Sequence, residues 1–221
     1  MFIRKYKSLM LILFFTLLMS LQLVDAKVNS ILPLEGKIIT IDPGHGGRDS
    51  GTMSGKLMEK DLNLEISYQL KKVLEENGAT VYMTRMVDED LSSKWDARKK
   101  RGDLYRRILF IQNKKSDLYL SIHINAGNGR GQEVLYHSIN KNNLLLAESI
   151  HNEFKKEFKT KRIIKKTNLY LYSNTRVPGV LIECGFLSNP NDRYLLQKED
   201  YQKRLALSIT RGVYEYFQKE L

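Results

Sequence analysis

Short runs of apolar and β-branched residues recur along the chain and predict the strands of a sheet. The first run, at residues 37–41, is typical of a buried strand because it stays apolar until Asp42-Pro43-Gly44 ends it. The run at 179–182 is typical of a central strand for the same reason. The predicted strands are residues 37–41, 80–84, 117–122, 132–137, 168–172 and 179–182.

Between these runs, apolar residues recur at helical spacing. Leu62, Ile66 and Leu70 share one helix face, and Asn77-Gly78 supplies a stop signal. The alternation of strands and helices predicts an α/β domain whose mostly parallel sheet is covered on both faces. The segment 87–103 fits neither period and is dense in both charges, so we expect a surface excursion that is either solvated or faces substrate. The predicted helices are residues 60–77, 104–112, 141–158 and 201–217.

The N-terminus has the pattern of a secretory signal. Arg4, Lys5 and Lys7 precede an apolar run over residues 9–19, and Val24-Asp25-Ala26 fits a cleavage site. The apolar run is shorter than the ~20 residues that a membrane-spanning helix needs. An uncleaved N-terminal anchor is the alternative. In both cases the rest of the chain is expected to be exported.

Charge and cysteine content narrow the class of partner. The 221 residues carry 36 Lys+Arg against 25 Asp+Glu, a formal net charge of +11, and removal of residues 1–26 would leave +9. This excess of positive charge favours an anionic partner. Because the chain is expected to be exported, the expected partner is a wall polymer or a membrane surface, and nucleic acid is not expected. The single cysteine, Cys184, excludes a disulfide framework and a multi-Cys metal site, and we expect it to be a buried thiol.

Metal-ligating side chains follow three of the predicted strands. His45 comes after the first strand, His123 after the third and Glu183 after the late strand, while Glu59 begins the first helix. Because ligands in open α/β sheets bind outside the carboxyl ends of the strands, these side chains are expected to converge. Two imidazoles and one carboxylate form a common catalytic zinc set, and Glu183 would be the free carboxylate that moves a proton. Such a site hydrolyses amides.

Other interpretations of these residues stay open at this point. The Gly-rich turn at residues 44–47 resembles a phosphate loop, but Asp49 breaks the dinucleotide fingerprint and no P-loop ending follows. Glu59 could equally be a first-turn acid favoured by the helix dipole. Asp42 is interpreted as a turn residue rather than a ligand. His137 and His151 are interpreted as ordinary surface or core histidines.

Five sequence blocks together cover nearly all of residues 36–220. They are IDPGHGG at 41–47, EKDLNL at 59–64, TR at 84–85, SIHINA at 121–126 and LIECGFLSNP at 181–190. In their order and spacing these blocks resemble the zinc-dependent N-acetylmuramoyl-L-alanine amidases of the type 3 family. Two departures from the family pattern, Ser50-Gly51-Thr52 and Cys184, remove no ligand.

The resemblance implies one zinc ion bound by His45, Glu59 and His123, with Glu183 as the catalytic acid and base. It implies cleavage of the peptidoglycan amide between the lactyl group of muramic acid and the L-Ala of the stem peptide. The implied fold is a single domain with a twisted, mainly parallel sheet of about six strands flanked by helices. The expected organisation is a signal peptide or anchor at 1–26, a lead-in at 27–35 and a catalytic amidase domain at 36–221.

Within the family, the opening at residues 32–39 and the stretch 161–164 resemble the germination-specific amidases of endospore formers. This implies action on spore cortex in the intermembrane region of the forespore, followed by a peptidoglycan deacetylase on the way to muramic-δ-lactam. We recognise no wall-binding repeat in the sequence, so we hypothesise an accessory protein for targeting or metal-site stability. Alternatives are a zinc peptidase that cuts within the stem peptide and a catalytically inactive wall-binding regulator.

Overall fold

A computed structural model of the chain describes residues 10, 12–16 and 32–220. The predicted export signal or anchor at residues 1–26 lies almost entirely outside the described residues. No helix among those described is long and apolar enough to cross a bilayer. All elements named below belong to one compact unit, Leu34–Leu221.

Eight strands and six helices make up the described part of this unit. The strands are β1 (Ile38–Pro43), β2 (Met53–Ser54), β3 (Leu57–Met58), β4 (Thr80–Met83), β5 (Leu118–Asn125), β6 (Glu133–Tyr136), β7 (Lys165–Lys166) and β8 (Gly179–Phe186). The helices are α1 (Glu59–Glu76), α2 (Lys99–Asn113), α3 (Asn142–Phe158), α4 (Tyr170–Ser173), α5 (Pro190–Leu196) and α6 (Glu199–Glu220).

Six of the strands form one sheet in the order β4-β1-β5-β8-β6-β7. The pairs of β1 with β4 and β5, of β5 with β8 and of β6 with β7 are parallel, and only β6 against β8 is antiparallel. The predicted α/β domain with a mainly parallel sheet of about six strands is therefore confirmed. Because β1, β5 and β8 are parallel neighbours, their carboxyl ends meet at one edge of the sheet.

The two faces of the sheet bury separate apolar clusters. Along β5, Leu118 and Leu120 join the larger cluster, while Tyr119 between them joins the smaller one, as strand alternation requires. Helices α1, α3 and α6 cover the larger cluster, and their inward residues include Leu70, Phe154 and Ile209. Cys184, predicted to be a buried thiol, is fully buried in this cluster. The smaller cluster, under α2 and α4, contains Ile108, Ile111, Tyr119, Leu171 and Leu181.

Two local predictions are corrected by the structure, and two elements were missed. The strand predicted at 168–172 is wrong, because residues 170–173 form the helical turn α4, which buries Leu171 against Leu181, and the edge strand is β7. The segment 87–103 is not all excursion, since α2 begins at Lys99 with a charged, mostly exposed first turn that carries no apolar signal. The short hairpin β2–β3 and helix α5 were not predicted.

Asp42 lies inside β1 rather than in a turn, so that interpretation is also wrong. Its carboxylate is buried and accepts hydrogen bonds from Thr84 (2.6 Å) and Ser121 (2.8 Å). It also pairs with the buried guanidinium of Arg107 at 2.8 Å. Burial alone would raise the pKa of Asp42, but Arg107 and the two hydroxyl donors together lower that pKa below its ordinary value. The carboxylate therefore stays charged beneath the end of β1.

We predict that Asp42→Asn lowers the free energy of unfolding at pH 7 by about 3–5 kcal/mol, because the buried Arg107 loses its counter-charge. Since the pKa of Asp42 is depressed in the folded state, its contribution is complete above the unfolded pKa and is lost as pH falls through the folded pKa. The deficit of the variant should therefore shrink below about pH 4. Urea unfolding at a series of pH values measures this.

The matched control is Glu148→Gln, which changes an exposed acid on α3 and should shift stability by less than about 0.5 kcal/mol. A deficit of Asp42→Asn that stayed constant from pH 7 to pH 3 would show that packing, rather than charge, is what the substitution removes.

Candidate functional site

The turn after β1 presents His45 in an unusual backbone conformation. His45 has φ of 61°, in the left-handed region that non-glycine residues seldom occupy. Gly46 (φ 131°) and Gly47 (φ 57°) follow it, and a side chain at Gly46 would come within 2.2 Å of a backbone oxygen. The glycines let the chain reverse direction here, so the imidazole projects from the end of the strand. Strain of this kind, about 1–3 kcal/mol per residue, persists only where the surroundings impose it.

Two buried arginines impose this conformation. Arg85 donates to the carbonyl oxygens of Pro43 (2.9 Å) and Gly44 (2.9 Å). Arg107 donates to the carbonyl oxygens of Pro43 (2.8 Å) and His45 (2.7 Å). Both arginines are at most 2% exposed. The carbonyl groups of three consecutive residues thus accept charge-assisted hydrogen bonds, which are stronger than neutral ones. These hydrogen bonds fix the turn from its buried side.

Glu59 is placed by the β2–β3 hairpin, which leads directly into α1. One carboxylate oxygen, Oε2, accepts the backbone N–H of Thr52 at 2.9 Å. The other, Oε1, accepts the backbone N–H of Ile124 at 3.1 Å and lies 3.3 Å from Nδ2 of Asn63. The carboxylate is buried and its orientation is set by backbone donors on two separate elements. Glu59 is therefore more than a first-turn acid of a helix.

His45, Glu59 and His123 converge at the edge where β1 and β5 end. Oε1 of Glu59 lies 3.2 Å from Nε2 of His45 and 3.0 Å from Nδ1 of His123, and one ligand atom from each residue falls within a 4.8 Å span. Burial would raise the pKa of Glu59, but hydrogen bonds with the two imidazoles outweigh it and hold that pKa far below its ordinary value. This group of three, which we call the His-Glu-His group, could hold a metal ion.

Asp49, which was not predicted as a site residue, completes the surroundings of His45. Its Oδ1 lies 3.0 Å from Nδ1 of His45, leaving Nε2 facing Glu59. Burial lowers the pKa of His45, but Glu59 and Asp49 outweigh it and raise that pKa overall. Metal-binding histidines commonly give their second ring N–H to a carboxylate, which fixes the tautomer. The spacing of four residues after His45 was the available signal.

Glu183 lies beside the His-Glu-His group on the neighbouring strand. Its Cα is the register partner of His123 in the β5–β8 pair. Burial, together with the charges of Glu59 and Glu133, raises the pKa of Glu183 to about 8. Its Oε2 is buried without a hydrogen-bond partner among the described residues. A buried carboxylate with an unpaired oxygen is costly unless a cation or a ligand serves it.

A cavity of about 350 Å³ opens over these residues, within the size range of small-ligand sites. His45, His123 and Glu183 line its floor, and α2 and α4 supply apolar walls with Leu104 and Leu171. The four residues predicted from sequence therefore lie together, three as the His-Glu-His group and Glu183 next to it. The two arginines below the turn were not predicted as site residues, and only Arg85 fell within a recognised block.

A profile of the Amidase_3 family, described as N-acetylmuramoyl-L-alanine amidase, matches residues 39–215. The match spans well over half of the chain and includes every residue of the site. The chain belongs to this family. It is accordingly an N-acetylmuramoyl-L-alanine amidase, as the resemblance in the sequence implied.

Individual relatives agree with this assignment. The chain is 41% identical over 194 residues to the germination-specific N-acetylmuramoyl-L-alanine amidase of Bacillus subtilis, covering 84% of this chain and 82% of that one. It is similar in structure to the CwlD amidase from Clostridioides difficile, solved in complex with the GerS lipoprotein (TM-score 0.78, 32% identity, 83% of this chain and 100% of that chain). The catalytic domain of CwlV, an amidase from Bacillus (Paenibacillus) polymyxa var. colistinus, superimposes with a TM-score of 0.71 at 30% identity, over 82% of this chain and 98% of that one.

Gly44 generates a prediction for metal binding. A Cβ atom there would lie 2.2 Å from Cε1 of His123, so Gly44→Ala must displace the imidazole. We expect zinc affinity to fall at least ~10-fold, as it does when ligand orientation is lost. Competition with a chromophoric chelator measures the affinity. The control is Gly36→Ala, whose added Cβ meets nothing within 4 Å but whose φ of 76° costs about 1–2 kcal/mol of stability. Equal zinc affinities in the two variants would contradict the proposed contact.

Asp49 generates a second prediction. We expect Asp49→Asn to weaken zinc binding by about 10–100-fold, because the amide no longer holds the His45 tautomer with a charged acceptor. The same chelator competition measures this. Asp200→Asn, an exposed change in the first turn of α6, serves as the control. Wild-type zinc affinity in Asp49→Asn would mean that the His45–Asp49 pair has no part in metal binding.

Proposed function

We propose that this amidase uses one zinc ion, held by His45, Glu59 and His123, to cleave the amide between the muramic acid lactyl group and the L-Ala of the stem peptide. The observation that carries the proposal is the convergence of three ligand atoms within 4.8 Å beside Glu183. When bound, zinc supplies a Lewis acid that polarises a carbonyl and activates water near neutral pH.

The residues present fit a zinc ion. Ligands at about 2.0–2.2 Å in a tetrahedral arrangement lie roughly 3.3–3.6 Å from one another. The Glu59 carboxylate already lies 3.0 and 3.2 Å from the two imidazole nitrogens. The unpaired Oε2 of Glu183 also fits, because a neighbouring cation would stabilise its ionised form and lower its pKa. Three protein ligands with one open position are typical of catalytic rather than structural zinc.

The chain's own groups then account for the proton transfers. Glu183 takes a proton from the attacking water and delivers it to the leaving nitrogen, a transfer favoured when the group titrates near neutral pH. The cavity walls at Leu104 and Leu171 exclude water around the scissile bond. The arginines below the turn keep His45 in place, and Arg107 also lines the cavity. The lactyl carbonyl carbon gains oxygen as its bond to nitrogen breaks.

We propose that the biological substrate is spore cortex. The support is the 41% identity to an amidase that is named germination-specific. In this setting residues 1–26 export the chain to the intermembrane and cortex region of the forespore, either as a cleaved signal peptide or as a retained anchor. The peptide-free muramic acid would then pass to a peptidoglycan deacetylase on the way to muramic-δ-lactam.

We also propose an accessory protein that positions the enzyme or stabilises its metal site. The support is the similarity to an amidase whose structure was determined together with a lipoprotein. A purified protein that bound zinc tightly and cleaved cortex at full rate without any partner would contradict this proposal.

Substitution of Glu183 tests the reaction itself. Glu183→Gln should lower the rate of hydrolysis by about 10²–10⁴-fold while zinc content stays at one per chain, because the amide cannot move the proton. The assay is mass spectrometry of muropeptides after incubation of spore peptidoglycan with the zinc-loaded protein. The wild type should release stem peptides that begin at L-Ala and leave peptide-free muramic acid in the glycan.

The exposed substitution Glu148→Gln is again the matched control and should keep wild-type activity. Cleavage within the stem peptide would instead favour the zinc peptidase. A Glu183→Gln variant with full activity would show that another group transfers the proton.

A further inference from the structure

A second cavity, of about 510 Å³, lies at the same edge of the sheet but against its other face. Its walls come from α3, α5 and α6, whereas those of the site cavity come from α2 and α4. Four cations line it, and we call it the basic cavity. These cations are Arg130, Lys159, Lys161 and Arg204.

The side chains that line the basic cavity keep a net positive charge, because four cations stand against two acids. Glu157 pairs with the lining cation Arg204 at 2.8 Å, and Asp192 accepts the backbone N–H of Gly131 at 2.8 Å. No ion pair or hydrogen bond to the side chains of Arg130, Lys159 or Lys161 occurs in the part of the chain that the structure describes. Three free cations that converge on one concavity favour an anionic ligand.

A buried polar group also points to a ligand there. Gln132 lines the cavity, is only 2% exposed and has, among the described residues, one side-chain hydrogen bond, with the Tyr201 hydroxyl at 2.6 Å. Whichever way its amide is oriented, one polar atom has no partner among the described residues, which is costly unless a ligand or water serves it.

Lys159 adds a local argument. It ends α3 with φ of 55°, a left-handed position where glycine is the usual residue. The strained position places an ammonium group at the rim of the basic cavity.

The basic cavity is connected to the site through β6. Gln132 immediately precedes Glu133, whose Cα pairs with that of Glu183 across the β6–β8 ladder. Neighbouring strands lie about 4.8 Å apart and each residue advances a strand by about 3.3 Å, so the backbones of Gln132 and Glu183 lie within about 10 Å of each other. Arg162, next to Lys161, bonds Glu133 through Nε at 2.6 Å. A polymer that leaves the site cavity over this edge would meet the basic cavity next.

The reaction itself supplies the anion. Hydrolysis breaks the bond between the lactyl carbonyl carbon and the L-Ala nitrogen, the oxygen of water joins the carbon, and both hydrogens of the water end on the nitrogen. At neutral pH the peptide leaves as an ammonium and the glycan keeps a new carboxylate. Each turnover therefore converts a neutral amide on the strand into a negative charge.

We propose that the basic cavity binds the peptide-free glycan product through its muramoyl carboxylates; this inference rests on the proposed function. Held there, a processed strand stays on the enzyme while the next muramic acid enters the site. Neighbouring stem peptides on one strand would then be removed in succession rather than at random.

Charge reversal in the basic cavity tests the proposal. In the full-length, zinc-loaded protein, Lys159→Glu with Lys161→Glu should weaken binding of fluorescent, peptide-free glycan strands at least five-fold, as measured by anisotropy at low salt. Lys72→Glu with Lys141→Glu, two exposed changes away from the cavity with the same change in net charge, should bind like the wild type. Strands whose carboxylates have been converted to neutral amides should bind the wild type as weakly as the first variant binds native strands.

Arg130→Glu with Lys161→Glu is a second variant that leaves α3 untouched, and circular dichroism checks that each variant is folded. Unchanged affinity in both cavity variants, or equal binding of neutralised strands, would overturn the inference and leave the cavity to another anionic partner, such as an acidic protein. Wild-type cleavage of a soluble disaccharide peptide is measured separately. Failure of that cleavage by protein that holds one zinc ion per chain would reject the proposed function, whereas cleavage without carboxylate-dependent binding would reject only this inference.

Discussion

The site depends on the binding of consecutive carbonyl oxygens at the end of β1 by two buried guanidinium groups. Arg85 and Arg107 hold the backbone from Pro43 to His45, and the Asp42 carboxylate compensates the charge of Arg107. Without these bonds, a histidine at φ 61° between glycines would relax toward an ordinary turn. The position of the imidazole is thus set by buried charge-assisted hydrogen bonds and by the Asp42–Arg107 ion pair. The other two ligands, Glu59 and His123, lie around this imidazole.

Three carboxylates at this edge of the sheet illustrate how burial is compensated. Asp42 is neutralised by Arg107, and Glu59 by the imidazoles and by backbone donors. Glu183 lies on β8, and among the described residues its Oε2 has no such partner, while burial and the charges of Glu59 and Glu133 raise its pKa to about 8. Groups of the protein therefore stabilise the charges of Asp42 and Glu59, whereas the charge state of Glu183 depends on what enters the cavity. This is the arrangement expected of a group that must gain and lose a proton during turnover.

Much of the fold could be predicted because the strands and long helices carry clear apolar periods. The four site residues could be predicted because His45, His123 and Glu183 each follow a buried strand and parallel strands end at one edge. Asp49 and Arg107 could not, because a carboxylate four residues after a histidine and an arginine within a helix have many possible partners until the chain is folded. The helical turn at 170–173 was missed because it is a single turn that packs on the core through Leu171, which is too little for a periodic signal.

X-ray absorption at the zinc edge, on protein loaded with one equivalent of zinc, tests the central claim most directly. The account predicts one ion per chain bound by two imidazole nitrogens and a carboxylate oxygen at about 2.0–2.2 Å, with one imidazole lost in His123→Ala. A sulfur ligand, which only Cys184 or a methionine could supply, a third imidazole, or an unchanged spectrum in His123→Ala would contradict it.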